Sequence, residues 1–182
     1  MNERVKKLIK PIIIIAAIIF ACCFFIKKPE SYDDYTKYLS YSISSVCVLF
    51  ILYERFLWRI IPWNRPPILK KKYDGKLSYV YKKQPSEKDI AIDVKQTWLS
   101  VEITTHTDIN SSYTITGSII SEHGIDVLYY TYMTDPQATC QVKNPIQHGT
   151  CRMILSGNNE RICGKYWTSS QTVGDMVWTA KI

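Results

Sequence analysis

The sequence predicts an all-β soluble domain, a small antiparallel barrel of about eight strands, preceded by two transmembrane α-helices. Two long apolar runs occupy the first third of the 182 residues. The remainder alternates apolar and polar residues in short segments that turn sequences separate, and this is the period of half-buried strands. We therefore expect a two-helix transmembrane hairpin with its exit linker over residues 1–67 and a β-barrel over residues 68–182.

The first apolar run, Leu8–Ile26, is interrupted by one charged residue, Lys10. A lysine near a helix end can extend its ammonium group toward the lipid headgroups, and the run is close to the roughly 20 residues that cross a bilayer. It therefore predicts a spanning helix. A secretory signal peptide is the alternative reading of a basic N-terminus before an apolar run, although no small-x-small cleavage pattern precedes Lys27.

The second apolar run, Tyr38–Ile61, ends with Arg55, Trp58 and Arg59. Aromatic and arginine side chains are typical of a membrane interface, so this run predicts a second span. The short connector "KKPESYDDYTK" then makes the pair a helical hairpin. Four serines between residues 40 and 45 lower the hydropathy of the run, which leaves a buried soluble helix as the alternative.

Basic residues predict the orientation of the hairpin. Lysine and arginine number 10 against 5 acidic residues in 1–67, but 13 against 11 in 68–182. The excess lies before the first run and after the second, while the connector is nearly balanced, so both termini are expected in the cytoplasm. Pro62, Pro66 and Pro67 prevent a continuing helix, and "PWNRPPILKKK" is therefore the expected exit linker.

The region from Tyr73 onward predicts strands that are separated by the turn sequences "QPSEKD", "TDINSS", "SEHG", "TDPQ" and "SGNNE". A meander of this length closes into a barrel or forms a sandwich, and closure removes exposed sheet edges. The expected strands lie near Lys76–Lys82, Ile90–Gln96, Trp98–Thr105, Ser112–Ile120, Ile125–Met133, Gly149–Leu155, Arg161–Thr168 and Asp175–Ala180.

Alternation also predicts which side chains share a face of a strand. The apolar residues are even-numbered up to Trp98 and odd-numbered from Leu99 onward, so a bulge or tight bend is expected at 97–99. Glycine among the inward residues of the seventh strand, Gly164, is expected to leave space for a ligand. Shared faces are expected for Leu77, Tyr79 and Tyr81, for Tyr113, Ile115 and Ile119, for Leu128, Tyr130 and Tyr132, and for Ile162, Gly164, Tyr166 and Thr168.

Residues that would carry catalysis are scarce. The histidines His106, His123 and His148 are not at ligand spacing from one another or from a cysteine, and the glycines do not form a phosphate-binding loop. The soluble-half cysteines are too widely spaced for a CxxC motif and fit a reducing compartment. We therefore expect no enzyme activity, no metal site and no cofactor.

A binding function agrees better with the strands, which are rich in tyrosine, tryptophan, serine and threonine. Aromatic rings stack on nucleobases, and hydroxyl groups and arginines bind phosphates. Core packing explains the same composition, because strands favour aromatic residues and a small barrel needs them as filling. The arginines of the soluble half, Arg152 and Arg161, are either phosphate ligands or solvated surface residues.

In their order after a helical hairpin, the segments "VKQTWLSVEITTHT", "LYYTY", "QHGT" and "ICGKYWTSSQTVGDMVW" resemble the two-transmembrane β-barrel effectors of bacterial CBASS antiphage defence. The resemblance implies a barrel that senses a cyclic dinucleotide made by a nucleotidyltransferase, a functional partner that need not touch the chain. It further implies a ligand-controlled homo-oligomer whose clustered helices disrupt the lipid bilayer of the bacterial inner membrane.

The resemblance also implies roles for individual residues. Gln96 and Trp98 match a Q-x-W element, and His148 with Gly149 matches an H-G turn. Gly164, Tyr166, Thr168 and Gly174 match a G-x-Y-x-T segment and a later glycine. With Arg152 added for its charge and not for a motif match, the expected nucleotide-binding residues are Gln96, Trp98, Thr104, Tyr130, Tyr132, Arg152, Tyr166 and Thr168.

One position departs from the family pattern. An arginine often follows the Y-x-T segment by two residues, and Ser170 occupies that position here, which implies another cation or another ligand. The sequence leaves open whether the ligand activates or restrains the effector. Two other functions also stay open: a membrane-tethered, lipocalin-like binder of a small apolar ligand without killing activity, and a purely structural interaction protein.

Overall fold

The computed structural model describes residues 3–61, 65–81, 84–108, 110–137 and 145–181. Contacts divide the chain into two compact units, residues 1–65 and residues 66–182. Pro62, Lys82 and Cys140 lie outside the described residues, as does the side chain of Tyr81. The two units are treated separately below.

The first unit contains helix α1 (Glu3–Ile26), helix α2 (Tyr32–Arg55) and a 3-10 turn (Leu57–Arg59). The expectation that the second helix starts at Tyr38 and runs to Ile61 is wrong at both ends. Acidic side chains favour the positive end of the helix dipole, and Asp33 and Asp34 lie in the first turn of α2. The backbone N–H of Glu30 donates to the carboxylate of Asp34 at 3.1 Å, which fixes this early start.

Helices α1 and α2 pack against each other and leave most of their apolar side chains uncovered by protein. Ile14 in α1 is 58% exposed and Ile43 in α2 is 53% exposed. Each helix is long and apolar enough to cross a membrane. The buried soluble helix is therefore the weaker reading of α2, because a core helix would have these side chains covered.

In the second unit, the described residues form eight antiparallel strands that pair in sequence order and close between β8 and β1. The predicted fold class, two apolar helices followed by an eight-stranded antiparallel barrel, is confirmed. The strands are β1 (Lys72–Tyr81), β2 (Gln84–Gln96), β3 (Val101–His106), β4 (Asn110–Glu122), β5 (Ile125–Pro136), β6 (His148–Ile154), β7 (Arg161–Thr168) and β8 (Val173–Ala180).

Strand β2 begins six residues before its predicted start at Ile90. The segment "QPSEKD" is therefore not a turn, although Pro85 made that reading plausible. A proline is tolerated at the beginning of a strand, and Pro85 pairs with Val80 there. The inward alternation extends back from Ile90 through Lys88 to Ser86, which are both half-buried.

Strand β4 contains a bulge that overturns one predicted face. The pairing with β5 shifts between Thr114 and Thr116, so that Ile115 is an extra residue. Ile115 is 61% exposed while Ile119 is 3% exposed, and the two do not share a face as predicted. An inserted residue exchanges the faces of a strand, and the Thr114 hydroxyl, which bonds both backbone groups of Ile103 at 2.9 Å, holds this bulge in place.

The predicted bend at 97–99 is confirmed as the connection between β2 and β3. The backbone N–H of Thr97 donates to the carbonyl of Ser100 at 2.9 Å, which closes a tight turn. The chain reverses here, and Gln96 pairs with Val101 across the connection, so that even-numbered inward residues of β2 face odd-numbered inward residues of β3. Trp98, in the turn, is 1% exposed.

The same end of the barrel holds the incoming linker, residues 67–70. The Gln96 amide accepts a hydrogen bond from the N–H of Leu69 at 2.9 Å and donates one to the carbonyl of Pro67 at 2.8 Å. Gln96 is buried, and buried polar groups require such partners. The amide therefore fixes the path by which the linker enters the barrel.

Two further side chains continue this arrangement. The Tyr73 hydroxyl accepts from the N–H of Lys70 and donates to the carbonyl of Asn159, each at 2.9 Å. The side-chain amide of Asn159 donates to the carbonyl of Ile68 at 3.1 Å. Beneath them the ring of Trp178 is fully buried. These contacts close one end of the barrel, which we call the closed end.

Candidate functional site

A cavity of about 370 Å³ lies at the end of the barrel opposite the closed end. Its volume falls within the roughly 300–1,000 Å³ of small-molecule sites. The side chains around it alternate inward along their strands, so the pleat of the sheet brings residues that are far apart in sequence to one chamber. The lining combines the aromatic and polar residues Tyr79, Lys88, Thr105, Ser112, Tyr130, Tyr132, Tyr166 and Thr168 with the apolar residues Leu77, Ile90, Ile103 and Met176.

Tyr132 takes its position from the glycine on the neighbouring strand. Gly149 of β6 pairs with Tyr132 of β5, and both face inward. A Cβ atom on Gly149 would lie 2.7 Å from Cε1 of Tyr132, which is closer than real side-chain contacts. The absence of a side chain at Gly149 therefore lets the tyrosine ring lean across β6 toward Thr168, with which Gly149 also pairs.

Tyr166 repeats this arrangement on the other side of the barrel. Gly174 of β8 pairs with both Tyr166 and Tyr79, and a Cβ atom there would lie 2.7 Å from Cε1 of Tyr166. The expectation that Gly164 leaves space for a ligand is wrong, because the Sδ atom of Met153 occupies that space, 2.7 Å from a Cβ atom. Gly149 and Gly174 therefore make room for tyrosine rings of the protein itself.

Aromatic rings connect the cavity to the closed end. The ring of Tyr130 lies 5.9 Å from that of Tyr132 and 6.1 Å from that of Trp178, and Trp178 lies 5.6 Å from Tyr73. Tilted pairs at these distances stabilise a core beyond their buried area. The Tyr130 hydroxyl donates to the Sδ atom of Met176 at 3.7 Å, so Tyr130 forms the floor of the cavity.

Burial sets the protonation of these groups. Desolvation raises the pKa of Tyr130 and Tyr132 well above the ordinary value for a phenol, and it raises the pKa of Tyr166 to about 12. The buried thiol of Cys151, which lies beside these rings, has its pKa raised to about 12 for the same reason. All four groups are neutral at physiological pH.

Hydroxyl groups at the rim of the cavity hold the backbone. The Thr107 hydroxyl donates to the carbonyl of Asn110 at 3.0 Å and accepts from its N–H at 3.1 Å. Thr134 makes the same reciprocal pair with the backbone of Gln147. The Thr107 bonds are local to one turn, whereas the Thr134 bonds join β5 to the residue before β6. The rim is therefore shaped by its own residues.

A comparison with known families decides the identity of this unit. The sequence profile described as Cap15, cyclic dinucleotide receptor domain, matches residues 66–180. The chain belongs to the Cap15 family. It is also similar to CD-NTase-associated protein 15 of Staphylococcus schleiferi, with 35% identity over 179 residues that cover 97% of each chain. The resemblance seen in the sequence is confirmed, and the Cap15 match spans all eight described strands.

Within the Cap15 domain, the structure gathers half of the predicted nucleotide-binding residues. Tyr130, Tyr132, Tyr166 and Thr168 line the cavity. Their inward faces were predicted from alternation, and this is confirmed for the described residues of β5 and β7. His148 and Gly149 do not form a turn as the resemblance implied, because they begin β6.

The other four predicted residues lie away from the cavity. Gln96 and Trp98 are buried at the closed end. Thr104 is on β3 between the inward residues Ile103 and Thr105, and it therefore faces outward. Thr104 therefore lies on the strand that was predicted, but on the side of the sheet that faces away from the cavity.

Arg152 belongs to a cluster on the outer surface of the Cap15 barrel. Its guanidinium donates to the carboxylate of Glu122 and to the hydroxyl of Tyr129, each at 2.8 Å. The hydrogen bond from Arg152, followed by one from Tyr129, lowers the pKa of Glu122. Ser170, where relatives often carry arginine, is exposed in the turn after β7. Neither residue lines the cavity.

Sequence reasoning missed Lys88. Among the described residues that line the cavity, it is the one with a charged side chain. The sequence did indicate its position, because Lys88 continues the alternation that places Ile90, Ile92 and Val94 on the inward face of β2. The mistaken turn at "QPSEKD" concealed this signal.

The described lining of the Cap15 cavity carries groups that can bind a ligand. It offers neutral phenol rings, hydroxyl groups and one ammonium group among the described lining residues. Of the described histidines, His106 pairs with Asp93 and Ser111 on the outer surface and His123 lies in the β4–β5 turn. The described residues contain no cluster of three His, Cys, Asp or Glu that could hold a metal ion.

Proposed function

We propose that this chain is a membrane effector of antiphage defence whose Cap15 barrel binds a cyclic dinucleotide in the cavity opposite the closed end. The observation that carries the proposal is this cavity, lined by tilted tyrosines and hydroxyl groups, inside a domain that matches the cyclic dinucleotide receptor profile. A nucleotide supplies flat rings for the phenols and polar groups for the hydroxyls.

The ligand-contacting residues in this proposal are Tyr132, Tyr166 and Thr168, with Tyr130 as the floor. Tyr132 and Tyr166 lean over Gly149 and Gly174, which leaves a ring face available for stacking. Base stacking on an aromatic side chain is worth about 1–3 kcal/mol. Gln96 holds the linker at the closed end, and Trp98 and Arg152 lie outside the cavity lining.

Calorimetric titration of the detergent-solubilised full chain with a panel of cyclic dinucleotides tests the proposal. We expect one or a few members to bind with a single site per chain. A linear dinucleotide of the same bases serves as the control. Absence of binding by every cyclic dinucleotide, together with binding of a fatty acid, would support the alternative lipocalin-like binder.

We also propose that ligand binding controls a homo-oligomer in which clustered helices disrupt the membrane. The support is physical: α1 and α2 carry apolar faces that the described residues do not cover, and a bilayer or neighbouring helices would cover them. Leakage of a dye from liposomes that contain the protein should change when the ligand is added, and its direction decides between activation and restraint. Unchanged leakage and an unchanged cross-linking pattern would refute this part.

The proposed location is the bacterial inner membrane, with both termini in the cytoplasm. The basic flanks of the helical hairpin support this orientation. A reporter fused after Ile182 should therefore be cytoplasmic, and one inserted at Ser31 should be periplasmic. A periplasmic signal at the C-terminus would overturn the orientation. The relative is named as CD-NTase-associated, and we propose that such a nucleotidyltransferase supplies the ligand without direct contact.

A further inference from the structure

We propose that Lys88 is the phosphate-binding cation of the cavity. The inference rests on the proposed function, since it assigns one contact to the same ligand. Lys88 lies on β2 and is half-buried, and the next inward residue, Ile90, is 5% exposed. The aliphatic stem of Lys88 therefore lies along the wall of the cavity, and its positively charged ammonium group is at the cavity.

The described lining of the cavity supplies no counter-ion for the charge of Lys88. None of the other described lining residues is acidic. The neighbours in sequence, Glu87 and Asp89, have the opposite parity and are exposed on the outer face. The tyrosines of the cavity stay neutral at physiological pH, because burial raises their pKa.

A cation in a partly desolvated site is unfavourable unless an anion accompanies it. A lysine binds a phosphate as a compact point charge with three donors, and each phosphodiester of a cyclic dinucleotide carries one negative charge. Lys88 would hold one phosphodiester while the rings of Tyr132 and Tyr166 receive the bases. The same charge disfavours an uncharged apolar ligand.

Three variants of the full chain in detergent separate this role from a structural one. Lys88→Met removes the charge and keeps the length of the stem, whereas Lys88→Arg keeps the charge. Lys95→Met is the matched control, because Lys95 is exposed on the outer face of the same strand. Dissociation constants for the cyclic dinucleotide that binds best are measured by calorimetry at about 50 and about 200 mM salt.

We expect Lys88→Met to weaken binding by about tenfold to a hundredfold, the usual effect of losing a charged hydrogen bond, and to remove most of the salt dependence. Lys88→Arg should stay within about fivefold of the parent chain, and Lys95→Met should bind normally. The melting temperature without ligand should not fall in Lys88→Met, because no partner inside the cavity is lost.

Normal affinity and salt dependence in Lys88→Met would overturn the assignment while leaving the proposed function intact. An equal loss in Lys95→Met, or a large fall in melting temperature that accounts for the weaker binding, would overturn it as well. If no cyclic dinucleotide binds the parent chain, the proposed function and this inference both fail.

Discussion

The ring of Tyr132 lies where the side chain of its strand partner would be, since that partner is Gly149. The relationship joins a sequence feature, a glycine inside a strand, to the shape of the cavity. Glycine normally weakens a strand. Here it allows an aromatic ring to lean over the backbone and form one wall of the site. The first prediction tests this relationship.

Gly149→Ala should destabilise the barrel by about 1–3 kcal/mol, the usual cost of overpacking a core, and should also weaken ligand binding. The physical reason is the close approach to Cε1 of Tyr132, at 2.7 Å. Chemical denaturation and calorimetry measure the two effects. Combining Gly149→Ala with Tyr132→Leu should restore part of the stability, and purely additive losses would contradict the proposed contact.

Tyr166→Leu should weaken cyclic dinucleotide binding by about tenfold or more, because it removes a stacking face worth about 1–3 kcal/mol. Ile162→Val is the control on the same strand and face, since Ile162 is fully buried but does not line the cavity. That control should cost about 0.5–1.5 kcal/mol of stability and leave affinity unchanged. If the affinity of Tyr166→Leu falls only as far as its stability explains, the tyrosine is ordinary core.

Gln96→Leu should lower stability by about 1–3 kcal/mol and leave the affinity of the folded chain unchanged. The substitution leaves the N–H of Leu69 and the carbonyl of Pro67 without the partners that they have in the closed end. Gln84→Leu, an exposed position on the same strand, should change stability by less than about 0.5 kcal/mol. A selective loss of affinity in Gln96→Leu would return this residue to the ligand site.

Stability should fall as the pH rises above about 9. Folding raises the pKa of Cys151 from 9.0 to about 12 and that of Tyr166 from 10.0 to about 12. Between the unfolded and the folded pKa of each group, the folded state keeps a proton that the unfolded state has released. The stability that each group contributes is therefore complete below its unfolded pKa and is lost as the pH rises through its folded pKa.

To check this fall in stability, the free energy of unfolding is measured between about pH 8 and about pH 11 for the parent chain and for Cys151→Ala. Cys151→Ala should show a shallower decline, by at most about 1.4 kcal/mol per pH unit. Equal slopes for the two chains would show that the thiol does not titrate as its burial requires.

A charge in the middle of α1 should abolish membrane insertion without unfolding the barrel. Ile14 is 58% exposed in the helix, and Ile14→Asp places a carboxylate where insertion costs about 2.5–3.5 kcal/mol. Ile14→Leu is the control. Membrane fractionation, liposome leakage and the near-ultraviolet circular dichroism of the barrel are compared. Full leakage activity from a chain that no longer fractionates with membranes would refute the anchor.

Local patterns in the sequence located the helices and strands and most of their faces, although not the ends of α2 or the beginning of β2. Hydropathy alone located the two apolar helices, because a span requires a long uninterrupted run. Strict alternation placed Tyr130, Tyr132 and Tyr166 on inward faces, because the pleat of a strand has a period of two. The order of short motifs also pointed to the family that the profile match shows.

Alternation failed where one inserted residue changes its phase. The bulge at Ile115 leaves no mark in the hydropathy of β4, and it separates Ile115 from the face of Ile119, which the two were predicted to share. Pro85, near the beginning of β2, led to the prediction of a turn there, and the inward position of Lys88 was therefore missed. Both features depend on how a strand pairs with its neighbour, which a single segment does not specify.

Only the closed barrel decided how deep each inward residue lies. Gln96 and Lys88 share one strand and one face, so alternation alone predicts the same inward position for both. They are separated by about 26 Å along the strand, so Gln96 holds the linker at the closed end and Lys88 lines the cavity at the other. Depth along the barrel follows from the register of all eight strands and from the end at which the linker enters. These are long-range relationships, and a residue's local sequence carries no information about them.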